Sequence, residues 1–100
     1  MRRRAAKVDN NQKEVVAELR KLGLSVQSLA PLGGGVPDLL VGTHGKNYLF
    51  ELKDGSLCPS ARKLTPGEAA WLESWRGQAQ VATCWEDIAQ AVGATEGGNQ

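Results

Sequence analysis

Scarcity bounds what this 100-residue chain can be. It has two cysteines, Cys58 and Cys84, which lie in no CxxC pair and are too few for a disulfide-stapled scaffold. Both read as reduced thiols, which points to a cytoplasmic protein. His44 is the only histidine, so a histidine-based catalytic triad or a multi-histidine zinc site within one chain is excluded. No apolar run approaches the roughly 18 residues of a membrane span. Met1-Arg2-Arg3-Arg4 is basic, but no apolar segment follows it, so no secretory signal is expected. Gly33-Gly34-Gly35 lacks the Lys-Ser/Thr of a phosphate-binding P-loop. Charge of one sign is also missing. The net charge is +1 and the isoelectric point about 7.8, so the chain cannot coat a polyanion by charge alone. If it binds nucleic acid, it does so through a local patch or through a metal ion.

What is present is the composition of an ordinary globular domain, 41% apolar and 23% charged. The length suits one hydrophobic core and not two. We divide the chain into a basic arm over 1–8, a single domain over 9–93 and a polar tail over 94–100. Asp9 to Leu22 reads as a helix: Asp9 caps it, Gln12 stands in the capping-box position, and Val15, Val16, Leu19 and Leu22 form one apolar stripe. Gly23 stops it. Ser25 to Leu32 alternates as a first strand, ended by Pro31 and the three glycines. Val36 to Thr43 and Lys46 to Lys53 read as two further strands around a His44-Gly45 turn. Thr65-Pro66 opens a helix that runs to about Arg76, with Ala69, Leu72 and Trp75 inward. Gln78 to Cys84 is a strand, and Trp85 to Val92 a last short helix. Strand, helix and strand alternate, so the expected class is α/β, with helices covering a mixed sheet.

The hairpin carries the chemistry. With His44 and Gly45 as the loop, Thr43 faces Lys46, and the same pairing sets Asp38 directly opposite Glu51. Lys53 shares the face of Glu51, because side chains alternate along a strand. Opposed Cβ atoms are about 4.5–5.5 Å apart, so the two carboxylates repel each other unless something positive lies between them. A divalent cation is the natural match, since Mg²⁺ takes one or two carboxylates plus water and phosphate oxygens. Leu39-Leu40-Val41 and Tyr48-Leu49-Phe50 are apolar on both faces, as in central strands, which makes charged residues at their ends unusual. The plain structural alternative is a strand-end salt bridge from Lys53 to Asp38 or Glu51. His44 is expected to be a solvated turn residue. Trp71, Trp75 and Trp85 suit a core or an interface better than a base-stacking platform.

Gly35-Val36-Pro37-Asp38-Leu39-Leu40 followed by Phe50-Glu51-Leu52-Lys53 resembles the PD-(D/E)XK nuclease superfamily. Within it the chain is similar to the small virus-type replication-repair (VRR-NUC) nucleases, in their stand-alone phage or prophage form. The resemblance runs from the first helix, ending Leu19-Arg20-x-x-Gly23, through Leu64-Thr65-Pro66, to Trp85. It implies an α-β-β-β-α-β core and a metal site in which Asp38 and Glu51 bind Mg²⁺ or Mn²⁺ and the backbone carbonyl of Leu52 adds a ligand. Lys53 would orient the attacking water or stabilise charge on the phosphate. The family also uses an acid on the first helix. Glu14 and Asp9 are both available, and Glu14 is preferred because Asp9 has a capping role. Gln12 aligns with a polar family position. One departure is Glu68, where the family often has Gln after the Thr/Ser-Pro helix start, and this leaves open whether that helix joins the site.

The functional expectation is a Mg²⁺- or Mn²⁺-dependent DNA endonuclease, a phosphodiester hydrolase acting in phage replication, recombination or repair inside a bacterial host cell. The resemblance implies 5′-phosphate and 3′-hydroxyl products and a preference for branched or junction DNA. A chain this small offers little surface for gripping a duplex, so a homodimer is expected, with no membrane partner. The alternatives are a nucleic-acid-binding module and a scaffold protein that keeps the fold without cleavage. Arg62-Lys63 and the basic arm are candidate phosphate contacts.

Overall fold

A computed structural model describes residues 10–55 and 63–94. The basic arm, Asp9, Cys58, Arg62 and the tail beyond Ala94 lie outside the described residues. The first helix, α1 (Asn10–Lys21), presents Val15 and Leu19, both fully buried, with Val16 and Leu22 beside them. It closes as the sequence pattern requires: Gly23 takes a φ of +86°, its N–H donates to the Arg20 carbonyl, and the Leu24 N–H donates to the Leu19 carbonyl. Gln12 departs from expectation. Its side-chain amide donates to Ser28 Oγ at 3.0 Å instead of turning back to the helix start.

The strands are β1 (Ser25–Ser28), β2 (Leu39–Thr43), β3 (Lys46–Leu52) and β4 (Ala79–Ala82), in the spatial order β1-β2-β3-β4. The first three pair antiparallel and β4 runs parallel to β3, so the sheet is mixed. β1 is half the expected length. After Leu29 the chain coils into a 3₁₀ turn at Ala30–Leu32, where Pro31 cannot donate a ladder bond, and Gly33, Gly34 and Gly35 then take positive φ. The β2–β3 hairpin has the expected register, with Thr43 paired to Lys46 and Leu39 to Phe50. His44 and Gly45 both have positive φ, at 53° and 76°, the requirement of a two-residue I′ turn.

A parallel β3–β4 pair needs a crossover, and α2 (Pro66–Ser74) supplies it. The last helix, α3 (Trp85–Ala91), buries Ile88 and Ala89 and packs against α1. Together they cover one face of the sheet, where Leu39, Val41, Phe50, Leu52 and Ala82 complete the core. The protein is therefore α/β, in the anticipated order α-β-β-β-α-β with a closing helix.

The helix α2 corrects one expectation. Ala69 is exposed, Leu72 half-buried and Trp75 48% exposed, so this helix places no buried residue in the core. It also stops at Ser74. Trp75 is extended, its ring stacks on Trp71 at a centroid distance of 4.5 Å, and its indole lies over Gly77. The spacing that reads as a core stripe serves this tryptophan pair, which borders an open groove with Leu40 and Leu49 on the second face of the sheet. No helix among the described residues is long and apolar enough to cross a membrane.

Candidate functional site

The second sheet face ends in a cluster of charge. Asp38 lies one position beyond the Leu39–Phe50 pair, so continuing the register sets it against Glu51. The ladder itself changes there. Leu39, Val41 and Thr43 form the hydrogen-bonded pairs with β3, and Pro37 is the next position in that series. Proline has no N–H to offer the carbonyl of its partner Leu52. The Leu52 N–H is met by the side chain of Asp38, whose Oδ2 accepts it at 2.8 Å. The Asp38 carbonyl meanwhile accepts from Leu29 N at 2.7 Å, which ties the same residue to β1. Pro37-Asp38 thus closes the backbone ladder and presents a carboxylate at its end.

Glu51 is 3% exposed. Burial raises its carboxyl from 4.5 to about 8, and the negative charges of Asp38 and Glu68 push the same way, as does a hydrogen bond with Glu68. Lys53 pulls in the opposite direction and does not prevail. Near neutral pH Glu51 therefore holds a proton that it shares with Glu68. Lys53 Nζ lies 2.8 Å from Glu68 Oε1 and 3.7 Å from Glu51 Oε2. Burial works to lower the lysine, but the Glu68 hydrogen bond and the charges of Glu68, Glu51 and Asp38 outweigh it and hold the ammonium above the usual lysine range. Glu68 responds in the complementary sense. Burial would raise it, and its bonds with Lys53 and the Thr65 N–H outweigh that and hold it below the usual carboxylate range.

The structure thus brings Asp38, Glu51 and Lys53 to one strand end and adds Glu68 from α2. The sequence pattern marked Glu68 only as a departure from the family's Gln and left open whether its helix joins the site. Thr65 and Glu68 form a full capping box, with the Glu68 N–H donating to Thr65 Oγ1 at 3.1 Å and the Thr65 N–H donating to Glu68 Oε1 at 2.9 Å. The signal was the Thr-x-x-Glu spacing. It predicts a rigid carboxylate at the helix start but not what lies across from it.

Glu14 does not join them. It is exposed on α1, two residues past the buried Gln12 and turned to solvent. Gln12 is held at Ser28, and Ser28 pairs with Leu39 on the core face of the sheet, opposite to the face of Glu51. The Gly33-Gly34-Gly35 run also acquires a physical role. A Cβ on Gly35 would lie 2.6 Å from the Gly67 carbonyl oxygen, and its φ is +84°. Glycine here lets the approach to Asp38 pack backbone to backbone on the first turn of α2.

Three carboxylates face one ammonium, so the strand-end salt bridge exists but leaves a formal excess of negative charge. No group of three or more His, Cys, Asp or Glu side chains among the described residues is arranged to hold a metal ion unaided. Asp38 and Glu51 are nevertheless hard oxygen donors on adjacent strands, and the Leu52 carbonyl lacks its Pro37 donor. That donor set fits Mg²⁺ or Mn²⁺ completed by water and phosphate oxygens. No family model, curated protein or solved structure matches this chain.

Proposed function

We propose that the protein is a metal-dependent DNA endonuclease with a PD-(D/E)XK site formed by Asp38, Glu51 and Lys53. The observation that carries this reading is the buried Glu51 at the end of a central strand, opposite Asp38 and within reach of Lys53. A fold gains nothing from an uncompensated pair of carboxylates there, and a buried charge without a partner is costly. When bound at Asp38 and Glu51, Mg²⁺ or Mn²⁺ supplies Lewis-acid polarisation of the scissile phosphate and an acidified water.

The chain's own residues supply the rest. Asp38, pinned by the Leu52 N–H, holds its carboxylate at a set position on the strand end. Glu51 would have to release its proton to hold a cation. Lys53 is kept protonated, so it serves as a positive charge facing the phosphate and not as a base. Hydrolysis of the phosphodiester leaves a 5′-phosphate and a 3′-hydroxyl. Branched DNA, a homodimer and a cytoplasmic setting in a phage-infected cell complete the reading.

The test is cleavage of linear, flapped and four-way DNA with Mg²⁺ and with Mn²⁺. Asp38→Asn keeps an acceptor for the Leu52 N–H while removing the charge, so the fold should persist. Cleavage should fall by about 10²-fold or more in this variant and in Lys53→Ala. Undiminished cleavage by a folded Asp38→Asn protein removes the site assignment. Wild-type protein that binds DNA but cuts no substrate with either metal supports a binding module instead.

A further inference from the structure

The helix α2 places no residue in the core, yet its first turn is held from three directions. Gly67 lies against Gly35, the capping box closes on Thr65, and Glu68 reaches across to Lys53. We propose that Glu68 is a positioning residue that anchors the Lys53 ammonium in the cleavage site and keeps it away from the metal-binding Glu51. This rests on the nuclease reading above.

One oxygen, Glu68 Oε1, accepts from both Thr65 N at 2.9 Å and Lys53 Nζ at 2.8 Å. The Glu68 backbone N–H donates in turn to Thr65 Oγ1, so the helix start fixes both the backbone of Glu68 and its Oε1 before that oxygen meets the lysine. Lysine is a flexible point charge, and an unanchored ammonium beside a buried carboxylate collapses onto it. Here Lys53 stands 0.9 Å nearer to Glu68 than to Glu51, from 2.8 and 3.7 Å. Glu68 thus draws the charge to the α2 side of the cluster and leaves the Glu51 oxygens for a cation. Glutamine could accept the same two bonds through its amide oxygen, since that oxygen carries two lone pairs. Alanine could accept neither.

The experiment compares Glu68→Ala, Glu68→Gln and Thr65→Val in the full chain. It measures kcat and KM on the best-cleaved DNA, thermal melting, and the ¹⁵N NMR signal of the Lys53 ammonium without metal. Glu68→Ala should lower kcat about 10–100-fold with KM little changed, and lose the slowly exchanging Lys53 signal. Glu68→Gln should recover most of kcat and retain the signal. Thr65→Val keeps the backbone N–H that binds Glu68 Oε1 and removes only the hydroxyl half of the cap, so it should lower the melting temperature while losing much less kcat than Glu68→Ala and retaining the Lys53 signal. The proposal is overturned if Thr65→Val and Glu68→Ala lose kcat in step with melting temperature, which would make Glu68 only a cap. It is also overturned if the Lys53 signal survives in Glu68→Ala. Wild-type protein without cleavage removes the nuclease reading alone, and the Lys53 signal then decides whether Glu68 anchors the ammonium.

Discussion

Glu51→Gln in metal-free buffer tests the electrostatics of the cluster directly. The carboxyl of Glu51 is raised from 4.5 to about 8 in the folded protein, by burial first and by the charges of Asp38 and Glu68 second. In the unfolded chain it titrates as an ordinary glutamate. Between those values the folded protein holds a proton that the unfolded chain has released. Its stability must therefore fall as pH rises through the window and level off above the folded value. One proton corresponds to about 1.4 kcal/mol per pH unit, so the full window sets a ceiling of about 5 kcal/mol. The cluster can rearrange and admit water when Glu51 ionises, and an observed loss of about 2–3 kcal/mol is the working expectation. That is a large share of the roughly 5–15 kcal/mol that holds a domain together.

Glutamine fits the same space and has no charge to desolvate. Glu51→Gln should therefore show flat stability from about pH 5 to 8 and exceed wild type by about 2–3 kcal/mol at the upper end. The assay is urea unfolding in EDTA at about pH 5, 6.5 and 8, followed by tryptophan fluorescence. Glu68 and Asp87 do not confound it. Both are held below their ordinary values, so their stabilisation is intact above those values and is lost only in more acid solution. A wild-type protein equally stable across the window would refute the reasoning, as would a Glu51→Gln protein no more stable than wild type at about pH 8.

Binding of Mg²⁺ or Mn²⁺ should release close to one proton per cation near neutral pH and almost none in Glu51→Gln, measured by calorimetry in buffers of different ionisation enthalpy. Gly35→Ala should cost about 3 kcal/mol or more in a urea titration, because a Cβ there meets the Gly67 carbonyl at a positive φ. Gly45→Ala, also at positive φ but facing open space, should cost only about 1–2 kcal/mol. Glu14→Ala should change cleavage and stability little, whereas Gln12→Leu should lose about 1–2 kcal/mol by leaving the Ser28 hydroxyl without its amide partner. Strong loss of cleavage in a folded Glu14→Ala protein would restore that residue to the site.

Elements governed by local chemistry were legible in the sequence. The α1 stripe and Gly23 specify a helix and its end without reference to anything distant. The hairpin register follows from a two-residue turn flanked by apolar strands, and it carries Asp38 to Glu51. Where tertiary surroundings decide, the pattern misled. Ala69, Leu72 and Trp75 have the spacing of a buried stripe, but the helix ends at Ser74, Ala69 stays exposed and Trp75 stacks on Trp71 beside an open groove. Gln12 satisfies the spacing of a capping box, yet a hydroxyl across the interface on β1 takes its amide. Glu68 satisfies the same spacing at α2 and does form the box, and its second contact depends on where α2 sits against the end of β3. Periodicity cannot report that.

The charge balance of the whole chain follows from where its acids stand. A net charge of +1 looks unsuited to a polyanion, but three of the eleven acidic side chains converge on a single lysine. The Lys53–Glu68 pair alone would cap the strand end and hold α2 in place. Adding Asp38 and a buried Glu51 makes that arrangement costlier, since protein and proton must together offset charge that water no longer screens. Under the proposed metal-site reading, a cation bound at this cluster would offset that cost, so cation binding and folding would be linked quantities. On that reading a phosphate would be repelled from the cluster without the cation and attracted with it, when Lys53 would no longer be outnumbered. Binding of DNA should therefore require the divalent ion, and not merely cleavage.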